Sequence, residues 1–358
     1  NEQPDPALLL AAAGDHFLGL QIKCAQCHDH PFHEWTQDEF WGMTAMFGRV
    51  RLKGRFQNAR ELEHLLTDAD VDPKEMVRMN GIDYPPQLPN GKIAIPDPVT
   101  PGQTLRTVTA TFLDGSQPKL PEKGNYRVEF ARWVTAKENP YFAKAAVNRL
   151  WAHFFGRGIV ASIENLHPDN PPSHPMLLDL LAEEFKSSDY DVKHIIRCIM
   201  HTRAYQRRSV ARTGNEKYGH LLPHVAVKPL DSFALVDSLW TALRRTPPSG
   251  SRRREAAEAF DTRLAGSDPT KYTHSIPQVL QMMNAKEHAD NASIQAVTRN
   301  REPAEAVEQL YLAVLARRPT KVEAVEMLEF VEQAADPRTA YGDVFWVLLN
   351  SAEFLVNH

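Results

Sequence analysis

The feature that most constrains this chain is a pentapeptide with the pattern C-x-x-C-H, formed by Cys24, Cys27 and His28. Two thiols at this spacing on one helical turn can each add to a vinyl group at adjacent edges of a porphyrin. The histidine that follows is then held beneath the iron as an axial ligand. The motif therefore predicts one covalently attached c-type haem, bound through Cys24 and Cys27, with His28 on the iron.

The same stretch also allows a metal site without a haem. Two thiolates and three imidazoles stand within ten residues, at Cys24, Cys27, His28, His30 and His33. Such a set can bind zinc or non-haem iron. The pair could also serve as a redox dithiol, although no thioredoxin-like βαβ pattern surrounds it. Beside a haem, His30 and His33 are too close to His28 to reach the opposite face, so we expect them to bond propionates, a backbone carbonyl or each other.

A sixth ligand to the iron would have to come from elsewhere in the chain. Met43 and Met46 are near enough in sequence to fold over a haem, but the aromatic residues around them also favour packing in a core. His153 and His174 are further candidates. Five-coordinate iron is the remaining alternative.

Composition and charge exclude several classes of protein. The net charge of −4 gives no electrostatic reason to expect nucleic acid as a partner, and no basic run suggests an anionic membrane. Apolar runs stay far below the roughly eighteen residues of a membrane span, so we expect no direct insertion of this chain into a membrane.

Cys198 lies in an apolar stretch, which favours a buried small hydrophobe. Motifs of serine hydrolases, P-loop proteins, zincins and dinucleotide-binding proteins are missing.

Three regions of different pattern follow one another. Residues 1–50 show helical spacing that leads directly into the cysteine pair, and then a second short helix within Trp35–Phe47. Residues 51–125 are rich in Pro and Gly, with one alternating stretch, Thr104–Leu113, that predicts a strand. Residues 126–358 are helical. We expect a mainly α fold: a helical haem-motif module, a small β-containing connector and a larger α-helical domain.

Capping signals mark the helices of the third region. Asn139 and the proline after it predict the start of a helix that runs to Phe155 and stops at Gly156. A capping box begins at Thr320. Further starts are predicted at Pro175, Asp191, Ser275 and Pro303, with a last helix over Tyr341–Leu355.

The sequence around the cysteine pair resembles the planctomycete cytochrome-like domain family DUF1549, in its C-terminal part. The segments that carry this resemblance are 17–32, 35–38 and 40–43. The later chain is similar to the companion planctomycete domain, DUF1553. The segments that carry that second resemblance are 112–115, 139–142, 147–158 and 172–175, with Asn284, 311–320 and 349–354 in the tail.

The resemblance implies an exported protein of planctomycetes and related bacteria, often encoded near sulfatase-like genes, but it supplies no reaction. His33 stands where the family more often has Asp. Relatives carry a longer segment upstream, which implies that an upstream segment or a second chain completes the first domain. Since no signal peptide follows Asn1, we expect any export signal to lie further upstream.

Three functions stay open on this evidence. The first is a periplasmic or otherwise exported mono-haem protein that passes single electrons to a redox partner protein, which the sequence does not identify. The second is a haem- or metal-dependent enzyme in polysaccharide breakdown, which needs an open iron position and a polar pocket between the modules. The third is a non-catalytic interaction protein whose Cys/His cluster holds zinc.

Overall fold

The computed structural model describes residues 4–31, 34–52, 66–68, 77–79, 82–84, 91–97, 99–100, 103–122, 125–207, 227–260, 280, 282–284 and 291–357. His33 and the helix start predicted at Ser275 lie outside these residues. The chain forms two compact units, Asn1–Thr202 and Arg203–His358. Helices dominate both, which confirms the mainly α fold. The three-part division of the chain drawn from sequence pattern stays a prediction.

The first unit contains six α-helices and three two-stranded antiparallel sheets among its described residues. The helices are α1 (Pro6–Ala13), α2 (Gln37–Thr44), α3 (Arg127–Thr135), α4 (Phe142–Phe155), α5 (Pro175–Ser187) and α6 (Val192–Met200). The sheets pair β1 (Val50–Leu52) with β2 (Leu66–Asp68), β3 (Val77–Met79) with β4 (Ile82–Tyr84), and β5 (Lys92–Pro96) with β6 (Thr104–Thr109). The strand predicted from Thr104 is therefore present and ends at Thr109.

The helix predicted to lead into the cysteine pair is interrupted. After α1 the chain makes a π-helical turn, Gly14–Leu18, and then stops at Gly19, whose φ is +66°. A Cβ at this left-handed position would also lie 3.1 Å from both the Cβ of Ala145 and the Cδ1 of Leu166. The positive φ and the lack of room for a Cβ therefore both require glycine at this position. The cysteines follow on a separate 3₁₀ turn, Lys23–Gln26.

One apolar core joins the early and the late parts of the first unit. It collects side chains from α1, α2, β1, β5 and α3. The largest of its fully buried side chains include Phe40, Trp41, Met43 and Met46, from α2 and the 3₁₀ turn that follows it. The aromatic stretch predicted as a second helix is thus α2, and it faces this core.

α4 begins two residues after the proline predicted in its first turn, while the predicted signals at Asn139 and Gly156 are both in use. The Oδ1 atom of Asn139 accepts hydrogen bonds from the backbone N–H groups of Tyr141 and Phe142, at 2.9 and 3.0 Å. The helix begins at Phe142 and ends where Gly156 adopts a φ of +73°. The predicted starts at Pro175 and Asp191 are likewise confirmed, because Pro175 is the first residue of α5 and Asp191 caps α6.

The second unit packs its helices around a second apolar core. Its described elements are β7 (Lys228–Pro229), α7 (Ser232–Ala242), α8 (Gly250–Phe260), α9 (Asn291–Thr298), α10 (Pro303–Leu315), α11 (Lys321–Gln333), α12 (Pro337–Leu349) and β8 (Val356–Asn357). The capping box at Thr320 and the start at Pro303 are confirmed. The last helix both starts and ends earlier than the predicted Tyr341–Leu355: it runs from Pro337 to Leu349, and the Asp336 side chain caps it by accepting from the backbone N–H of Arg338. No helix that the structure describes has the length and apolar character to cross a bilayer.

Candidate functional site

The cysteine turn, residues 24–28, presents its chemical groups outward. Cys24 and Cys27 are free thiols at the surface, and His28 beside them is also exposed. Between the cysteines, Ala25 is fully buried in the core of the first unit. The turn is thus anchored on one side and chemically accessible on the other.

Hydrogen bonds fix the cysteine turn against α2. The backbone carbonyl of Gln26 accepts from the Nε1 of Trp41 at 2.9 Å and from the Nε2 of Gln37 at 3.2 Å. The carboxylate of Asp29 accepts from the backbone N–H of Gln37 at 2.8 Å. α2 itself begins with a capping box between Thr36 and the third residue of the helix. The middle of the turn and the residue that follows it are therefore held by a well-capped helix.

The ring of His28 is held in one tautomer. Its Nδ1 lies 2.7 Å from the backbone carbonyl oxygen of Asp29. A carbonyl can only accept, so Nδ1 carries the proton and Nε2 has the lone pair in the neutral ring. Histidines that ligate metals are oriented in the same way, with one nitrogen donating to a carbonyl or carboxylate. The arrangement suits ligation through Nε2.

His30 lies half-buried next to this turn. Its backbone N–H donates to the carbonyl of Trp35 at 2.8 Å. Burial lowers the pKa of His30, a hydrogen bond to the backbone of Gln21 opposes this, and charge on His167 and His28 lowers the pKa further. His28 and His167 therefore act on the same side chain. The second histidine predicted for this stretch, at position 33, lies outside the described residues.

The four candidates for a sixth ligand lie in different surroundings. Met43 and Met46 are both fully buried in the core, so either sulfur would have to leave its packing to reach an iron at the surface. His153 is exposed on α4, with its ring edge-on to Phe154 at 5.2 Å. His174 precedes α5, with its Nδ1 3.1 Å from the hydroxyl of the preceding serine. These placements favour packing for the methionines, and ligation by any of the four stays a prediction.

Two family models match the chain. Residues 2–52 match PSCyt2, described as a protein of unknown function (DUF1549), and residues 126–253 match PSD1, described as a protein of unknown function (DUF1553). The chain carries the planctomycete domain pair. PSCyt2 comes first and contains the whole cysteine turn. No curated protein and no solved structure matches the chain.

The PSD1 segment contributes a histidine that motif analysis of the sequence did not single out. His167 belongs to residues 164–170, here called the PSD1 loop, between α4 and α5. The backbone N–H of Leu166 in this loop donates to the carbonyl of Gly19 at 2.8 Å. His167 has no motif spacing and no helical period, so only the tertiary fold shows that its loop contacts Gly19, ahead of the cysteine turn.

A cavity of about 380 Å³ opens in the PSD1 segment beside this loop. His167 and Tyr141 line it together with an ion pair, in which the Nζ of Lys144 lies 2.7 Å from a carboxylate oxygen of Asp179. Tyr141 also packs edge-on against Trp35 of the PSCyt2 segment, with ring centroids 6.2 Å apart. The cavity is therefore next to the aromatic side chain that follows the cysteine turn.

The third cysteine is less buried than the sequence predicts. Cys198 is half-buried on α6, and its Sγ lies 3.6 Å from the Nε2 of His194. The same Nε2 lies 2.6 Å from a carboxylate oxygen of Glu184. Because one ring nitrogen serves both neighbours, this is not the relay of a nucleophile, a base and an orienting acid, which uses both nitrogens. Among the described residues, no group of three or more His, Cys, Asp or Glu is arranged to hold a metal ion.

Proposed function

We propose that this protein is an exported mono-haem c-type cytochrome that transfers single electrons. The haem is attached to Cys24 and Cys27, and His28 ligates its iron. The observation that supports this best is the cysteine turn itself, with two exposed thiols and an adjacent imidazole whose Nδ1 is bonded to a carbonyl. When bound, a haem of this kind supplies reversible one-electron exchange at its iron.

The exposed thiols fit covalent attachment. Thioether formation requires each sulfur to approach a vinyl group from outside the protein, and both cysteines are exposed and unpaired with each other. The buried Ala25 and the hydrogen bonds to the Gln26 carbonyl keep the backbone of the turn in place. A turn that is already fixed loses little conformational freedom when it binds its group.

The orientation of His28 fits axial ligation. The Asp29 carbonyl holds the ring so that the lone pair is on Nε2, which is the nitrogen a metal would take. Because this acceptor is a backbone atom, the orientation does not depend on the protonation of any side chain.

The decisive experiment is an absorption spectrum of the protein matured in a host with haem-attachment machinery. Oxidised and reduced spectra are recorded before and after acid–acetone extraction. We expect a haem spectrum that stays with the protein, is lost in the C24S/C27S variant and is retained in the matched control C198S. The control changes a half-buried cysteine outside the motif.

Other outcomes would favour the alternative functions. A colourless matured protein that contains zinc, and that unfolds when Cys24 and Cys27 are replaced, would overturn the proposal in favour of a structural zinc site. A haem whose reduced spectrum shows an open coordination position, together with turnover of a polysaccharide fragment, would favour the enzyme over the electron carrier. A colourless protein with bound non-haem iron would likewise exclude the c-type haem.

A further inference from the structure

We infer that Arg106 of β6 donates hydrogen bonds to a propionate carboxylate of the proposed haem and thereby raises its redox potential. Arg106 lies between the segment that matches PSCyt2 and the one that matches PSD1, so neither family model contains it. The inference rests on the proposed function. It gives Arg106 a role in holding the haem that is distinct from ligation of the iron.

β6 is fixed against the core that supports the cysteine turn. In the sheet of β5 and β6, Arg106 is paired with Ile95, which is fully buried in that core. Just after β6, the backbone N–H of Thr111 donates to the carbonyl of Gly42 in α2 at 3.3 Å. Ala25 of the cysteine turn is buried in the same core. The strand, the helix and the turn therefore belong to one packed body.

The side chain of Gln37 connects Arg106 to the cysteine turn. Its Nε2 donates to the carbonyl of Gln26 at 3.2 Å, and its Oε1 accepts from the Nη2 of Arg106 at 2.8 Å. These two contacts determine the orientation of the amide, because a carbonyl can only accept and a guanidinium can only donate. Gln37 is also buried. Only one fixed carboxamide group thus separates the guanidinium from the carbonyl that precedes Cys27.

The guanidinium of Arg106 keeps donors for a further partner. Its Nε and Nη2 lie 2.7 and 2.6 Å from one carboxylate oxygen of Asp38, and Nη2 also bonds Gln37. Of the five N–H groups of an arginine, the two on Nη1 have no partner among the residues that the structure describes. The side chain is 43% exposed. A ligand can therefore meet Nη1 without breaking the bonds that hold the guanidinium.

A propionate is the acceptor that the proposed group would bring. A haem joined to Cys24 and Cys27 lies on the exposed side of the turn, since both thiols are there, and its propionates are its anionic groups. A planar guanidinium fits a carboxylate and bonds it about twice as strongly as neutral partners bond each other. Partial neutralisation of a propionate disfavours the ferric state, because less negative charge then faces the iron. Removal of Arg106 should therefore lower the potential.

The test uses the haem-loaded full chain and measures the ratio of reduced to oxidised haem by absorption at a fixed applied potential. R106M removes both the donors and the charge. We expect this ratio to fall about threefold, the scale of a partly exposed charge interaction. R106K keeps the charge but loses the planar fork, so its ratio should lie between those of R106M and the wild type.

Two control variants separate the propionate contact from other causes. D38N breaks the ion pair of Arg106 but leaves its donors in place, so it should not lower the ratio. K23Q removes a positive charge directly before Cys24, on an exposed side chain. It should lower the ratio less than R106M does, because no fixed bond holds a flexible exposed lysine towards the haem.

Separate outcomes would overturn the inference and the proposed function. A covalent haem whose ratio is unchanged in R106M excludes the propionate contact but leaves the function standing. An equal fall in D38N assigns the effect to the broken ion pair, and an equal fall in K23Q assigns it to net charge. Should R106M not fold, R106K decides, and a ratio as high as that of the wild type then excludes the contact. A matured wild type without covalent haem overturns the proposed function itself.

Discussion

The carboxylate of Asp29 accepts a hydrogen bond from the backbone N–H of Gln37 at 2.8 Å. Gln37 is the first residue of α2, so the bond places a negative charge at the positive end of that helix and satisfies one of its unpaired N–H groups. The backbone carbonyl of the same Asp29 holds the ring of His28. One residue thus connects the candidate iron ligand to the helix that supports it.

This connection predicts the effect of replacing Asp29. D29A should lower the free energy of unfolding by about 1 kcal/mol, the usual cost of losing a cap at a helix N-terminus. D29N keeps an oxygen acceptor and should lose only a few tenths. Urea unfolding followed by circular dichroism measures both. Since the His28 contact is to a backbone atom, haem attachment should survive in both variants, and equal destabilisation by the two would contradict the carboxylate contact.

The second prediction concerns the indole of Trp41. W41F removes the donor to the Gln26 carbonyl and leaves a gap at a side chain that is 1% exposed. We expect a loss of about 1–2 kcal/mol, because the Gln26 carbonyl then keeps only the Gln37 amide as a donor and a small cavity forms. The control is W346F, because the Trp346 indole bonds a carbonyl at an exposed site and should cost far less. Similar urea midpoints for the two variants would argue against the anchoring role.

The third prediction separates backbone strain from packing at Gly19. G19A should destabilise the protein by about 1–2 kcal/mol from the left-handed backbone alone, and further because its Cβ would press on Leu166. Gly115 is a matched control, since its φ is +79° and nothing lies within 4 Å of an added Cβ. The excess loss in G19A over G115A measures the packing term. If G19A loses no more stability than G115A, the PSD1 loop must move away from the added Cβ at no cost in free energy.

The fourth prediction is a pH dependence in the second unit. Hydrogen bonds from Arg317 hold the pKa of Glu323 at about 2, below its ordinary value of 4.5. A folded-state pKa below the unfolded one gives stability that is present above pH 4.5 and lost as the pH falls towards 2. E323Q should therefore be less stable than the wild type at pH 7, by about 1 kcal/mol because the pair is partly exposed.

The measurement for this fourth prediction is the unfolding free energy of both proteins between pH 7 and pH 2.5. The difference should shrink in acid, because protonated Glu323 and glutamine are then alike in charge. R317K is a second control: it keeps the charge but loses the paired bonds that Arg317 makes to Glu323 and Glu353. A difference that does not change with pH would exclude the ion pair as its cause.

Local signals in the sequence determine what could be predicted of the fold. The capping residues Asn139, Asp191 and Thr320 act through their nearest backbone N–H groups, so their effect is visible in a few letters. Gly19 shows the limit. A single glycine in a helical pattern is usually tolerated, and only the close approach of Leu166 and Ala145 explains why the chain must turn there.

In the candidate site, too, residues marked by a local sequence pattern could be predicted, and a residue placed by tertiary contacts could not. C-x-x-C-H identifies Cys24, Cys27 and His28 because the chemistry requires them to be adjacent. The apolar and aromatic neighbours of Met43 predict a core, and its complete burial agrees with that alternative. His167 could not be found in this way, since its relation to the turn depends on a contact between segments that lie far apart in the chain.

The shared core of the first unit also limits how the two domain families can recombine during evolution. Ala25 belongs to the segment that matches PSCyt2, and Phe130 and Trp133 belong to the one that matches PSD1, yet all three are buried in the same cluster. Close-packed interiors tolerate little mismatch in shape. A PSCyt2 segment taken from another protein would have to pack against Phe130 and Trp133 of the PSD1 segment, although its own side chains were selected against different neighbours. Recombination between the two families should therefore succeed only when both sides of this seam are exchanged together.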